Sequence, residues 1–251
     1  MDDYPGAAAA YSLRLLNTDF TGDAIVVRRS SDNATQSIGF VDGELDVDTL
    51  NTFCSGANGF ITTWYDQSGN GNNATNTTAS SQPKIYDSVT GVSLENGKPS
   101  INFSVVNQTY LTSDFGTVYT QPNTIFTVFN KFNSSGFVYD GISIGIRNAQ
   151  FSTRLFVGSN LDDALLLTDF NKQIVLSALY NTTNSFAYVN SNLNASGNVG
   201  SESMSGITIG NRLDFTAAYS GTMQEMIIYT TNETSNRTGI ETNINNFYSI
   251  Y

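Results

Sequence analysis

The sequence contains no histidine. The commonest general base and the commonest transition-metal ligand are therefore both missing. It has a single cysteine, Cys54, so no internal disulfide can form. With Leu50 and Phe53 beside it, that thiol reads as a buried packing group rather than a reactive one. Basic residues are scarce. Eleven Lys plus Arg against 22 Asp plus Glu leave a formal net charge of −11, which argues against a nucleic-acid surface and against attraction to anionic membranes. No apolar run is long enough to cross a bilayer, and no basic-then-apolar leader opens the chain, so neither membrane insertion nor a signal peptide is expected. Repeats and linkers are absent as well. The 251 residues read as one domain, long enough to bury a core without staples.

What is abundant is strand and turn chemistry. Ile61 to Tyr65 alternates β-branched and aromatic residues and predicts a half-buried strand. It breaks into Asp66-Gln67-Ser68-Gly69-Asn70-Gly71-Asn72-Asn73, a run of turn formers in which Gly69 and Gly71 can take positive φ and the Asx residues can bond their own backbone. The only tryptophan, Trp64, stands just before the break and is expected to be the buried floor of that loop. Asp66, Asn70 and Asn72 carry the hard oxygens that calcium takes. The competing reading is a loop held by its own hydrogen bonds. Calcium is the one cofactor the residues leave open.

Elsewhere, Ala7 to Leu16 predicts a short helix with Pro5 near its start. Ala24 to Arg29 predicts a strand, and Asp46 an N-cap for a helix over Val47 to Cys54 ended by Gly56. Strands are expected around an Asn96-Gly97 turn, then over Ile125–Phe132, Phe137–Ile146, Arg154–Gly158, Ala164–Thr168, Gln173–Tyr180, Ser185–Asn190, Gly206–Gly210 and Gly221–Tyr229. This spacing of short strands predicts a sandwich. Ser235 is the expected cap of a final helix that places Ile240, Ile244, Phe247 and Tyr251 on one face. Asn-x-Ser/Thr sequons recur from Asn33 to Asn236 as products of an Asn-, Ser- and Thr-rich composition.

The Asp66-to-Asn72 loop resembles the D-x-S-G-N-G-N loop of laminin-G-like, concanavalin A-type jelly rolls. The stretch Tyr65 to Asn72 also resembles the catalytic domain of fungal family 54 α-L-arabinofuranosidases. Ala8 to Asn33 and Gly221 to Tyr251 are similar to the ends of jelly-roll domains in bacteriophage tail-fibre and appendage proteins. The resemblance implies an all-β, concanavalin A-like jelly-roll sandwich of two antiparallel sheets with a few short peripheral helices, one of them at the C-terminus. By the phage likeness, residues 1–251 form one laminin-G-like domain of a virion protein. That likeness implies a non-enzymatic surface module (a fibre, appendage or decoration domain) that binds host or environmental glycans, made in the host cytoplasm and oligomeric among other virion proteins. A purely structural virion domain is a further alternative.

The glycosidase likeness implies an enzyme instead. A retaining glycosidase uses two carboxylates about 5 Å apart. In that family the acid/base Asp follows an Ile-Leu-Gly strand and precedes a Gly-Thr pair by seven residues. Ile209-Gly210, Asp214 and Gly221-Thr222 match that spacing. The family's other carboxylate is a Glu in a Met-Glu-Asn-Asn setting, and here no Glu lies between Glu95 and Glu202. Asp162, Asp163 and Asp169 lie in the region without matching a motif. For glycan binding, the candidate platforms among 13 Tyr and 16 Phe are Tyr139, Tyr180 and Tyr188. Arg28 and Arg29 are candidates for sugar hydroxyls or for an ion pair with Asp32.

Overall fold

The computed structural model describes residues 2–133, 135–142, 150–151, 155–156 and 171–251. The first third is built from β1 (Ala9–Ser12), β2 (Ile25–Arg29), β3 (Thr35–Ile38), β4 (Phe40–Val41), β5 (Glu44–Leu45), α1 (Val47–Cys54), β6 (Gly59–Trp64), β7 (Ala74–Thr75), β8 (Lys84–Asp87) and β9 (Gly91–Val92). There follow β10 (Leu94–Glu95), β11 (Lys98–Pro99), β12 (Ile101–Phe103), β13 (Leu111–Tyr119), β14 (Asn123–Lys131), β15 (Tyr139–Asp140), β16 (Gln150–Phe151) and β17 (Leu155–Phe156). The chain closes with β18 (Gln173–Tyr180), β19 (Ser185–Val189), β20 (Asn192–Gly197), β21 (Met204–Ile209), β22 (Gly221–Tyr229) and α2 (Arg237–Tyr248).

The strand ladders are antiparallel and form two layers. One runs β20-β19-β18-β14-β22, with β1 and β12 sharing the far side of β22. The other runs β3-β2-β6-β7-β13-β21-β15. A pairing of β12 with β8, which also borders β6, joins the layers at one edge. The expected all-β sandwich with short peripheral helices is the observed fold. Between the layers Ile125, Phe129, Met226 and Ile228 meet Trp64, Ile61, Leu111 and Ile207.

The β14–β22 layer is buried on its other face too. Phe126, Val128, Ile227 and Tyr229 point outward into a second core completed by Ile240, Ile244 and Tyr248 of α2. This two-sided burial corrects the helix expected over Ala7 to Leu16. The segment pairs with β22 in the register Ala9↔Ile228 to Ser12↔Glu225, with Ala9 in one core and Ala10 in the other. Small side chains suit a strand squeezed on both sides, and its ladder outweighs the helix propensity of alanine. Helix α1 is as expected, with the Asp46 carboxylate accepting from Thr49 N–H. Cys54 is buried, and burial pushes its thiol up to about 11. Helix α2 starts after Asn236 rather than after a Ser235 cap, and Ser249 ends it in the left-handed region at φ 53°. Tyr251 therefore lies beyond the helix and 48% exposed, and Tyr248 takes the buried position expected for it.

The charge on β22 is paired inside this double core. Glu225 takes a bidentate contact from Arg14, at 2.8 Å from Nε and 3.0 Å from Nη2, together with Ser12 Oγ at 2.8 Å and Tyr248 Oη at 3.2 Å. A buried charge left alone would be strongly unfavourable.

The loop after β6 closes one end of the sandwich and docks on β1. Trp64 is fully buried beneath it, against Tyr11. Asp66 Oδ1 accepts from the N–H groups of Ala10 and Ser68, both at 2.8 Å. Its Oδ2 accepts from Ser68 Oγ at 2.7 Å and Asn72 N–H at 3.0 Å. Four donors thus take up the lone pairs that a calcium ion would need. The Asn70 and Asn72 amides donate to the carbonyls of Ala7 and Ala8, and Gly69 and Gly71 sit at φ 89° and 76°. No group of three or more carboxylate, cysteine or histidine side chains able to hold a metal occurs among the described residues.

Two outcomes follow from this packing. Ile244→Ala should destabilise the fold by about 2–5 kcal/mol, the usual cost of truncating a buried aliphatic side chain. Chemical denaturation reads this, and an unchanged midpoint would mean that α2 adds nothing to the fold. Asp66→Ala should cost roughly 3 kcal/mol by stranding part-buried donors, and the loss should be the same with and without added calcium. Recovery of the melting temperature by calcium would show instead that the loop is an ion site.

Candidate functional site

Residues 210–220 connect β21 to β22 at one end of the sandwich, and almost every turn of this loop is tied down. Gly210 opens it at φ 86°, where a Cβ would lie 2.0 Å from the Phe103 ring, so only glycine fits. The buried Asn211 side chain accepts from Arg212 N–H at 2.8 Å and Ala217 N–H at 2.9 Å, and its amide donates to Gln108 O. Gln108 Oε1 in turn accepts from Ala218 N–H at 3.1 Å. Buried Asp140 on β15 accepts from Leu213 N–H at 3.0 Å. Phe137 N–H donates to Ala217 O at 2.9 Å. Tyr219, fully buried, stacks on Phe103 with ring centroids 5.3 Å apart.

Asp214 projects from this braced loop with its side chain 35% exposed. Thr216 donates to Oδ1 through its hydroxyl at 2.6 Å and its N–H at 3.2 Å. Arg212 Nη2 meets Oδ2 at 2.5 Å. Partial burial works to raise this carboxyl's pKa, but the Thr216 hydrogen bonds and the Arg212 charge outweigh it and hold the group below the ordinary aspartate value. Asp214 is therefore a carboxylate at neutral pH, suited to attack a carbon or to take a proton from water. Serving as the proton donor would require its ties to Arg212 and Thr216 to loosen. Next to it, Phe215 has φ 61° and lies 39% exposed, and Tyr110 stacks on its ring at 4.0 Å. Beneath the loop, Lys131 Nζ donates to Ser135 O and Gly136 O, each at 2.6 Å, and burial lowers its pKa to about 7.

The other residues singled out from the sequence lie elsewhere. Tyr139 and Tyr180 are fully buried, with their hydroxyls 2.9 Å apart across the core. This corrects their reading as sugar platforms, because neither ring offers a face to solvent. Tyr188 on β19 has its ring covered by the Arg237 guanidinium, 3.7 Å from the centroid. Arg28 donates to Gln82, Asn33 and Ala79 O. Arg29 pairs with Asp32 at 2.7 Å and donates to Phe53 O, which is the ion-pair reading of this motif. Asp162, Asp163 and Asp169 lie outside the described residues. Sequence reasoning missed Asp140, Arg212, Tyr110 and Phe215. Only the neighbourhood of Arg212 and Phe215 to Asp214 could have signalled any of them.

Comparison with known proteins identifies the lineage. The family model described as "Alpha-L-arabinofuranosidase B, catalytic" matches residues 2–129. Alpha-L-arabinofuranosidase B of Aspergillus niger and its counterpart from Aspergillus kawachii are each 39% identical over 75 residues, which is 29% of this chain and 15% of theirs. Among solved structures, a family 54 α-L-arabinofuranosidase soaked with a cyclic sulfate inhibitor superposes on 95% of this chain with a TM-score of 0.75 at 15% identity. An arabinofuranosidase complexed with arabinofuranosyl-α-1,2-xylobiose superposes on 94% with a TM-score of 0.68 at 18% identity. The chain spans 62% of the length of each of those two structures. These findings overturn the phage reading: the matched relatives are Aspergillus proteins named for an enzyme, so the non-enzymatic virion module, its virion-protein partners and its virion-surface location all fall. With its first half matched by that model and its fold shared with those structures, the chain belongs to the α-L-arabinofuranosidase B catalytic-domain family.

Proposed function

We propose that this chain is a glycoside hydrolase of the α-L-arabinofuranosidase type, acting at the 210–220 loop with Asp214 as a reacting carboxylate. Membership of a catalytic-domain family carries the reading. Its location rests on an ionised, solvent-reaching carboxylate on a loop that buried Asn211 and Asp140 hold in place. Hydrolysis breaks the bond from the arabinofuranose anomeric carbon to the glycosidic oxygen. The electron pair goes to that oxygen, which takes up a proton, while either a water deprotonated by a carboxylate bonds to the anomeric carbon, or the carboxylate bonds first and a deprotonated water then displaces it as the carboxylate leaves. The low pKa of Asp214 suits the attacking or water-activating part. No Glu lies between Glu95 and Glu202, so the glutamate of the family's Met-Glu-Asn-Asn setting has no counterpart there. Asp140, fully buried and bound to the N–H groups of Gly141 and Leu213, braces the loop rather than reacting.

Release of 4-nitrophenol from 4-nitrophenyl α-L-arabinofuranoside tests this directly, since that leaving group departs with little help from a proton donor. The wild-type chain should turn it over. Asp214→Asn should lower kcat/KM by roughly 10²- to 10⁴-fold, the usual weight of a catalytic acid or base. Because the deprotonated form is the active one and its pKa is depressed, the acid limb of the kcat/KM profile should fall below the ordinary aspartate range. Absence of turnover in the wild type, or full activity in the variant, would defeat the assignment.

A further inference from the structure

The residue after Asp214 is an aromatic in a conformation that aromatics avoid. Phe215 has φ 61°, in the left-handed region where a side chain crowds its own backbone and glycine is the natural choice. Full burial does not explain its presence, because the residue stays 39% exposed. Nor is the ring loosely held. Tyr110 stacks on it from behind, with centroids 4.0 Å apart and planes 10° apart, and Phe215 N–H donates to Arg212 O at 2.8 Å. Tyr110 is itself fixed, its N–H on Ser81 O and its carbonyl receiving the Asn76 amide. The result is a solvent-reaching ring, braced on one face, on the same turn as a carboxylate and a guanidinium. Strained conformations kept at an exposed position cluster at functional sites.

We propose that Phe215, backed by Tyr110, is a stacking platform for a sugar ring beside Asp214, with Arg212 and Asp214 close enough in the turn to meet its hydroxyls. A furanose presents C–H groups on one face, and the electron-rich face of an aromatic ring attracts them. The identification of that sugar as an arabinofuranosyl unit rests on the function proposed above. The platform itself rests on the geometry of the turn.

Phe215→Gly separates ring from fold, since glycine adopts the left-handed conformation without strain. Binding is read by calorimetry with arabinofuranosyl xylo-oligosaccharides and, in parallel, with unsubstituted xylo- and cello-oligosaccharides. Phe215→Gly should leave the protein folded, relief of strain offsetting the lost Tyr110 stack, and weaken binding by about two- to tenfold, the scale of one aromatic contact, whereas Phe215→Trp should retain affinity. A Phe215→Gly protein that binds as tightly as the wild type overturns the platform. Wild-type binding only to unsubstituted chains, lost in Phe215→Gly, supports the platform while removing the arabinofuranosyl assignment. A wild type that binds none of these sugars overturns the platform as well.

Discussion

Strand β22 is buried on both faces, and most of the structure answers to that fact. It pairs with β14 on one side and with β1 and β12 on the other. Its inward residues fill the sandwich and its outward ones need a cover, which α2 supplies. A charge on such a strand survives only when fully paired, and Glu225 is met by Ser12 and Arg14 from the β1 segment and by Tyr248 from α2. The strand also begins at Gly221, where the candidate loop ends. The rigidity of the doubly buried strand is thereby passed to the carboxylate seven residues before it.

Elements whose signals are local could be read from the sequence. The Asp46 cap, the apolar run Gln173–Tyr180 and the strand Gly221–Tyr229 appear with the expected bounds because capping, β-branching and apolar content all agree there. The Asp66 loop was also legible, since its turn formers have little to do but bond one another and the adjacent strand. Ala7 to Leu16 was not. Its composition favours a helix, and only the β22 ladder and a second core, both far away in sequence, make it a strand. The Arg14–Glu225 pair spans 211 positions and leaves no local trace.

The candidate site was legible in one residue. Asp214 was marked by spacing alone, through likeness to a family. The groups that shape it were silent for different reasons. A phenylalanine in a left-handed turn violates propensity, so no reading from propensity finds it. Asp140 acts through a backbone N–H, a contact made by tertiary structure. Tyr139 and Tyr180 mislead in the opposite sense: a tyrosine reads as amphipathic, but paired hydroxyls let two of them enter the core together.

The chain has no histidine, but it does bury a lysine. Lys131 is 1% exposed, capped by two carbonyls and 5.8 Å from the Tyr219 ring, and burial lowers its pKa from 10.5 to about 7. Between those two values the folded chain holds fewer protons at this site than the unfolded chain, so the full cost of burying this lysine is felt below about 7 and is relieved as pH rises toward 10.5. A plain cation thus becomes, through its position under the loop, a group whose cost to folding is lifted in alkaline surroundings.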